Sequence, residues 1–199
     1  MNIEKTTSIQ IAKIISVIGH PFVLLAITIL TAAASGESPA RAAAIGAITV
    51  LTTVFPMLFI IRRKVRAGKW SDHDVSDASE RRNFYPLMIV VLGISLVIFY
   101  LLRFPRPLLV GMLISLGILF IAMLINRWSK ISLHLTFGVY FAVSLLTVNY
   151  WMSAGLMVLA LAVAWSRIRL GRHNAAQVLS GALLGAIAGI ILLKATGFF

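Results

Sequence analysis

Apolar residues in this chain come in long unbroken blocks, and polar residues are gathered into the short segments between them. Blocks at residues 9–34, 40–61, 84–102, 108–125, 132–148, 154–165 and 175–193 stand out. A helix of about 20 apolar residues crosses the roughly 30 Å hydrocarbon core of a bilayer, and most of these blocks have that length. The pattern predicts an all-α protein: a polytopic membrane helical bundle with six or seven transmembrane helices, forming a single integral membrane domain over residues 1–199. The 154–165 block is the shortest, so its ends are the least defined. Breakers punctuate the pattern. Gly19-His20-Pro21 predicts a bend in the first span, because proline removes a helix donor and crowds the preceding turn. Pro105 and Pro107 force a tight loop after the third span. Gly181, Gly185 and Gly189 recur every four residues in the last span, a spacing that permits close helix contact.

Composition agrees with this reading. The chain is 60% hydrophobic and 12% charged, where soluble domains carry about 25% charged residues. Its mean hydropathy is +0.97. The first block is too long for the core of a cleaved signal peptide and is expected to be a retained span. Cysteine is absent, which excludes disulfides, thiolate catalysis and cysteine-ligated metals. The net charge of +12 would suggest nucleic acid in a soluble protein. Here the basic residues sit in short loops without a stacking aromatic platform, so membrane lipid is the expected partner and nucleic acid is not.

If the blocks alternate across the bilayer, the polar segments after the second, fourth and sixth spans share one face with the N-terminus. That face carries 14 of the 18 Lys and Arg, and the positive-inside rule makes it cytoplasmic. The expected location is the plasma (inner) membrane, with one polar active face.

Three polar clusters supply the candidate chemistry. The first, residues 70–86, holds four of the six acidic residues, Asp72, Asp74, Asp77 and Glu80, followed by Arg81 and Arg82. The second contains Lys130, Ser132 and His134. The third is SRIRLGRHN, with Ser166, Arg167 and His173, and Gln177 lies four residues on. Two imidazoles among guanidiniums suit phosphoryl transfer. One neutral His can attack phosphorus, the other can protonate the leaving oxygen, and the fixed donor fork of Arg can hold the equatorial oxygens.

The spacing S-R-x5-H at Ser166-Arg167 and His173 resembles the third motif of the type 2 phosphatidic acid phosphatase family, S-R-x5-H-x3-D. Ser132-x-His134 is similar to its second motif, P-S-G-H, without the flanking Pro and Gly. The resemblance covers roughly residues 72–185. It implies a membrane lipid-phosphate phosphatase that acts on a polyprenyl phosphate or diphosphate, or on a phospholipid monoester, through a phosphohistidine intermediate and without metal or cofactor. It makes His173 the nucleophile and His134 the general acid. Arg167 and Ser132 become phosphate ligands, joined by Arg81, Arg82 and Lys130. Gln177, Asp74, Asp77 and Ser166 are expected to orient these groups. The chain departs from the family pattern in two places. In the first motif, K-x6-R-P, Asp74 stands at the Lys position and Arg82 at the Pro position if Arg81 is the Arg. Gln177 replaces the third-motif Asp.

Other readings of the same residues stay open. Asp72, Asp74 and Asp77 form D-x-D-x-x-D, a spacing that can hold Mg²⁺ against a diphosphate in an intramembrane prenyl or phosphoalcohol transferase. No aspartate follows Asp77 to supply a second such segment. The changed motif positions also suit a relative that binds lipid phosphate with little turnover. Ser132 can be an N-cap, His134 a packing residue, Gln177 an interhelical tether, and the exposed arginines topology charges.

Overall fold

The computed structural model describes residues 2–75 and 77–197, and every regular element among them is helical. In chain order these are α1 (Asn2–Ile18), α2 (Pro21–Gly36), α3 (Pro39–Thr49), a π-turn (Val50–Val54), α4 (Phe55–Arg66), α5 (Ala78–Leu101), α6 (Arg106–Ile125), α7 (Leu133–Ser144), α8 (Tyr150–Arg169) and α9 (Ala175–Ala195). Five helical stretches are long and apolar enough to cross a membrane, or six if α1 and α2, bent by 45° at their junction, form one span. The expected helical bundle of membrane-spanning length is therefore present; among the described residues five spans fall one short of the expected six or seven, and counting the bent pair brings the number to six.

Several boundaries differ from the sequence expectation. The 132–148 block yields only the 12-residue α7. At 1.5 Å per residue α7 is about 18 Å long, too short to cross the core. Residues 134–142 of α7 are all buried. An all-round apolar helix packs wherever it is enclosed, and here protein encloses it. In contrast, α8 is longer than its apolar block. It runs from Tyr150 to Arg169, so Ser166 and Arg167 lie in its last turn rather than in a loop.

The chain forms two compact units. The first joins its N-terminal 28 residues to the segment from Lys130 onward, and the second is Ile29–Ser129.

In the first unit, α7 and α9 run parallel. The Ser132 N–H donates to Gln177 O at 3.2 Å. A Cβ added at Gly181 would lie 2.6 Å from Ser132 O, at Gly185 2.2 Å from Thr136 O, and at Gly189 2.6 Å from the Val143 side chain. The four-residue glycine repeat is thus the face on which α7 rests backbone to backbone. Antiparallel to α7, α8 is pinned by Ser153 Oγ donating to Ala142 O at 2.7 Å. The α1 helix lies antiparallel along α8 through its own stripe of small residues. Ser166 Oγ donates to Ala12 O at 2.6 Å, Arg167 Nη1 to Ser16 Oγ at 2.8 Å, and Arg169 Nη2 to Ser8 Oγ at 2.7 Å. Leu135, Val163 and Val178 form an apolar plug among α7, α8 and α9, packed against Ile15 of α1.

In the second unit, Pro56 explains the π-turn. It has no N–H to donate to Thr52 O, its α-helical acceptor. The chain widens instead, with the Phe55 N–H reaching Val50 O. From α5, the Ser95 hydroxyl donates to Thr52 O at 2.9 Å and accepts from Thr53 Oγ1 at 2.9 Å. The α5–α6 hairpin closes on Arg103, in left-handed backbone at φ 54°. The Phe104 N–H returns to Phe99 O at 3.0 Å, and the two rings meet at a tilt of 49° with centroids 4.3 Å apart. This is a helix-ending motif sealed by an apolar contact.

Candidate functional site

In the first unit, the α8–α9 turn places His173. Gly171 takes the left-handed conformation at φ 65°. This lets the chain double back so that the Arg172 and His173 N–H groups both donate to Arg167 O, at 3.0 and 3.3 Å. The S-R-x5-H spacing thereby becomes one compact turn, with Arg167 at its base and His173 at its exit. Asn174 then caps α9. Its side chain accepts from the Gln177 N–H at 2.9 Å, and Gln177 Oε1 accepts from the Asn174 N–H at 3.4 Å, a reciprocal capping box. Gln177 Oε1 also lies 3.1 Å from His173 Nδ1.

These contacts fix a tautomer. A backbone N–H can only donate, so the Gln177 atom facing Asn174 is its oxygen. An oxygen can only accept, so His173 Nδ1 carries the proton. The neutral ring then presents its lone pair at Nε2. His173 is 6% exposed.

The Ser132 N–H bond to Gln177 O brings the start of α7 to the same end of the unit. Ser132 occupies the N-cap position, with φ −84° and ψ 97°, yet its side chain makes no cap hydrogen bond. The N-caps Ser38, Asp77, Asn149 and Asn174 all use theirs. Ser132 is fully buried, and its Oγ has no hydrogen-bond partner among the described residues. A buried hydroxyl without a partner costs about 1–3 kcal/mol. It stands beside the first N–H groups of α7, which lack intrahelical acceptors and favour anions.

Within the first turn of α7 is His134, also 6% exposed. Its ring meets that of His20 edge-on, with centroids 5.2 Å apart. His20 sits at the α1–α2 bend, where its Nδ1 accepts from the Phe22 N–H at 3.3 Å. That bond leaves the His20 proton on Nε2 in the neutral ring. The bend that Gly19-His20-Pro21 predicts therefore also delivers an imidazole to His134. Arg167 has no exposed surface. Lys130, half-buried, lies in the segment leading to Ser132. Ser166 ties α8 to α1, as its bond to Ala12 shows.

Sequence reasoning overlooked Ser16, Asn174 and the pairing of His20 with His134. The Ser8-Ala12-Ser16 repeat and the N-x-x-Q pattern at Asn174 were readable signals for two of them.

The remaining sequence candidates belong to the second unit. Arg81 is 4% exposed, and its Nε donates to Val75 O at 2.9 Å. Val75, itself buried, has φ 48°, a costly conformation for a β-branched residue. Arg82 is exposed. The carboxylates have local roles. Glu80 accepts from the Ser71 N–H at 2.7 Å, Asp72 Oδ1 from the Asp74 N–H at 2.8 Å, and Asp77 Oδ1 from the Ser79 N–H at 2.7 Å as the N-cap of α5. Asp74 is half-buried in the turn before Val75.

No family model, no curated protein and no solved structure matches the chain.

Proposed function

We propose that this chain is a membrane lipid-phosphate hydrolase working through a phosphohistidine. The observation that carries the reading is the buried Ser132 hydroxyl, unpartnered among the described residues at the N-terminus of α7. It lies at the end of the unit where the His173–Gln177 pair is held. A tetrahedral phosphate offers acceptors that suit this hydroxyl, the α7 N–H groups and the Arg167 guanidinium together.

In the first step, His173 Nε2 forms a bond to phosphorus as the bond from phosphorus to the lipid oxygen breaks. His134 gives its proton to that oxygen. In the second step, water attacks phosphorus, His134 takes a proton from it, and the P–N bond breaks to release inorganic phosphate. Gln177 Oε1 accepts a hydrogen bond from Nδ1–H throughout. It orients the ring with a dipole where a carboxylate would add a charge, so the imidazolium-like transition state receives less stabilisation. The resemblance to the type 2 phosphatidic acid phosphatases in the second and third motifs supports the same assignment. The substrate class it favours is a polyprenyl phosphate or diphosphate, or a glycerolipid phosphate monoester, with the tail in the bilayer and the headgroup at the basic end of the helices.

The test is phosphate release from a panel of such lipids by purified protein in EDTA. Release that falls about a thousandfold or more in His173→Ala supports the reading. Release unchanged by that substitution, or no hydrolysis of any lipid phosphate, overturns it.

A further inference from the structure

The α5–α6 hairpin holds a cavity of about 420 Å³, lined by Arg82, Tyr85 and Pro86 of α5 and by Met123, Asn126 and Arg127 at the end of α6. Two guanidinium groups and a carboxamide line it, and none of the described lining residues is acidic. Trp128, which follows Arg127, is 82% exposed, as expected for a ring at headgroup depth. A second cavity of about 320 Å³ lies farther along the same hairpin, with a wholly apolar lining that includes Val97 and Tyr100 of α5 and Leu109 and Leu113 of α6.

The two cavities fall on one line along α5. At 100° per residue, Pro86, Gly93 and Val97 project within about 40° of one another, and Pro86 to Val97 spans about 16 Å. Between the cavities, a Cβ added at Gly93 on α5 or at Gly117 on α6 would meet nothing within 4 Å. Space along this α5–α6 seam, beside Gly93 and beside Gly117, is therefore open, and both glycines lie between the basic cavity and the apolar one, a distance of about half the thickness of a bilayer core.

We propose that this seam binds one glycerophospholipid with an anionic phosphodiester headgroup. Its phosphate sits between Arg82 and Arg127, and one acyl chain passes Gly93 and Gly117 to the apolar cavity. The site lies wholly within the second unit, and a phosphodiester lipid is not a substrate for phosphomonoester hydrolysis. Its occupancy is thus independent of the function proposed above.

The experiment uses the full-length protein in detergent. Thermal unfolding and native mass spectrometry would be followed with added phosphatidylglycerol, phosphatidylcholine or soluble glycerol phosphate. Phosphatidylglycerol is expected to raise Tm and to appear as one retained lipid, while glycerol phosphate, which lacks a tail, does neither. Arg82→Gln with Arg127→Gln should weaken phosphatidylglycerol binding at least tenfold, and the double Lys variant should restore most of it. Gly93→Leu should weaken binding with both arginines intact. Equal binding of phosphatidylcholine, equal binding of glycerol phosphate, or full retention in the Gln double variant would each overturn the proposal. Both arginines are exposed, so the Gln variants are expected to fold, and an unaltered Tm without lipid checks this.

Discussion

Gln177 Oε1 accepts at once from the Asn174 backbone N–H and from His173 Nδ1, at 3.4 and 3.1 Å. One amide oxygen closes the cap of α9 and fixes which nitrogen of the imidazole carries the proton. Two substitutions separate these roles. Gln177→Asp keeps an acceptor near the ring and adds a charge, so kcat for lipid-phosphate hydrolysis is expected to rise several-fold. Gln177→Leu loses the acceptor, and kcat should drop about a hundredfold with little change in KM. The loss of half the capping box should cost no more than about 1 kcal/mol of stability. Steady-state kinetics beside thermal unfolding distinguish orientation of the ring from damage to the helix.

Ser132→Ala tests the unpartnered hydroxyl. Removing a buried group that satisfies no partner relieves a desolvation penalty, so the ligand-free protein should be unchanged or slightly more stable. If the hydroxyl binds phosphate, kcat/KM should nonetheless fall by about ten- to a hundredfold. A loss of stability with activity retained would mark Ser132 as a structural residue.

The α7–α9 contact depends on absent side chains. A Cβ at Gly185 would stand 2.2 Å from Thr136 O, a rigid backbone atom. Gly185→Ala must push the parallel helices apart, at an expected cost of about 1–3 kcal/mol. Gly155→Ala, where a Cβ meets nothing within 4 Å, should be neutral or stabilising. Paired Tm measurements check the contrast. Because Gly181 supports Ser132 in the same way, Gly181→Ala should also reduce activity.

The membrane spans were legible because a bilayer demands long apolar runs, and composition alone reveals those. The kink at His20 and the glycine face of α9 were legible for equally local reasons. The status of α7 was not. LHLTFGVYFAVS is as apolar as a spanning helix, and hydropathy does not distinguish lipid around a helix from protein around it. The local roles of the acidic cluster were also not legible. Asp72 and Asp77 attract attention as a possible metal motif, and each also has a carboxylate oxygen engaged by a backbone N–H two residues on. Short side chains near turns do this readily. At the site, S-R-x5-H indicated which residues to watch. It did not show that Arg167 O receives two N–H groups, nor that Ser132 forgoes its cap.

Ser95 and Pro56 offer a test of the π-turn. Ser95→Ala would leave Thr52 O without its hydroxyl donor and Thr53 Oγ1 without its acceptor, at an expected cost of about 1–2 kcal/mol. In a Pro56→Ala background, residue 56 regains an N–H in reach of Thr52 O, and the same substitution should cost less. A double-mutant cycle on unfolding free energies reads the coupling. Equal costs in the two backgrounds would show that Ser95 does not substitute for the missing donor.

The proposed function requires His173 to carry the phosphoryl group. Its most direct test is to quench the protein within a turnover on a lipid phosphate and map the modified residue by mass spectrometry under conditions that preserve P–N bonds. The expected result is an acid-labile phosphoryl group on His173 that accumulates in His134→Ala, where the second step lacks its base, and is absent from His173→Ala. Turnover without any phosphohistidine, or a phosphoryl group on another residue, would contradict it.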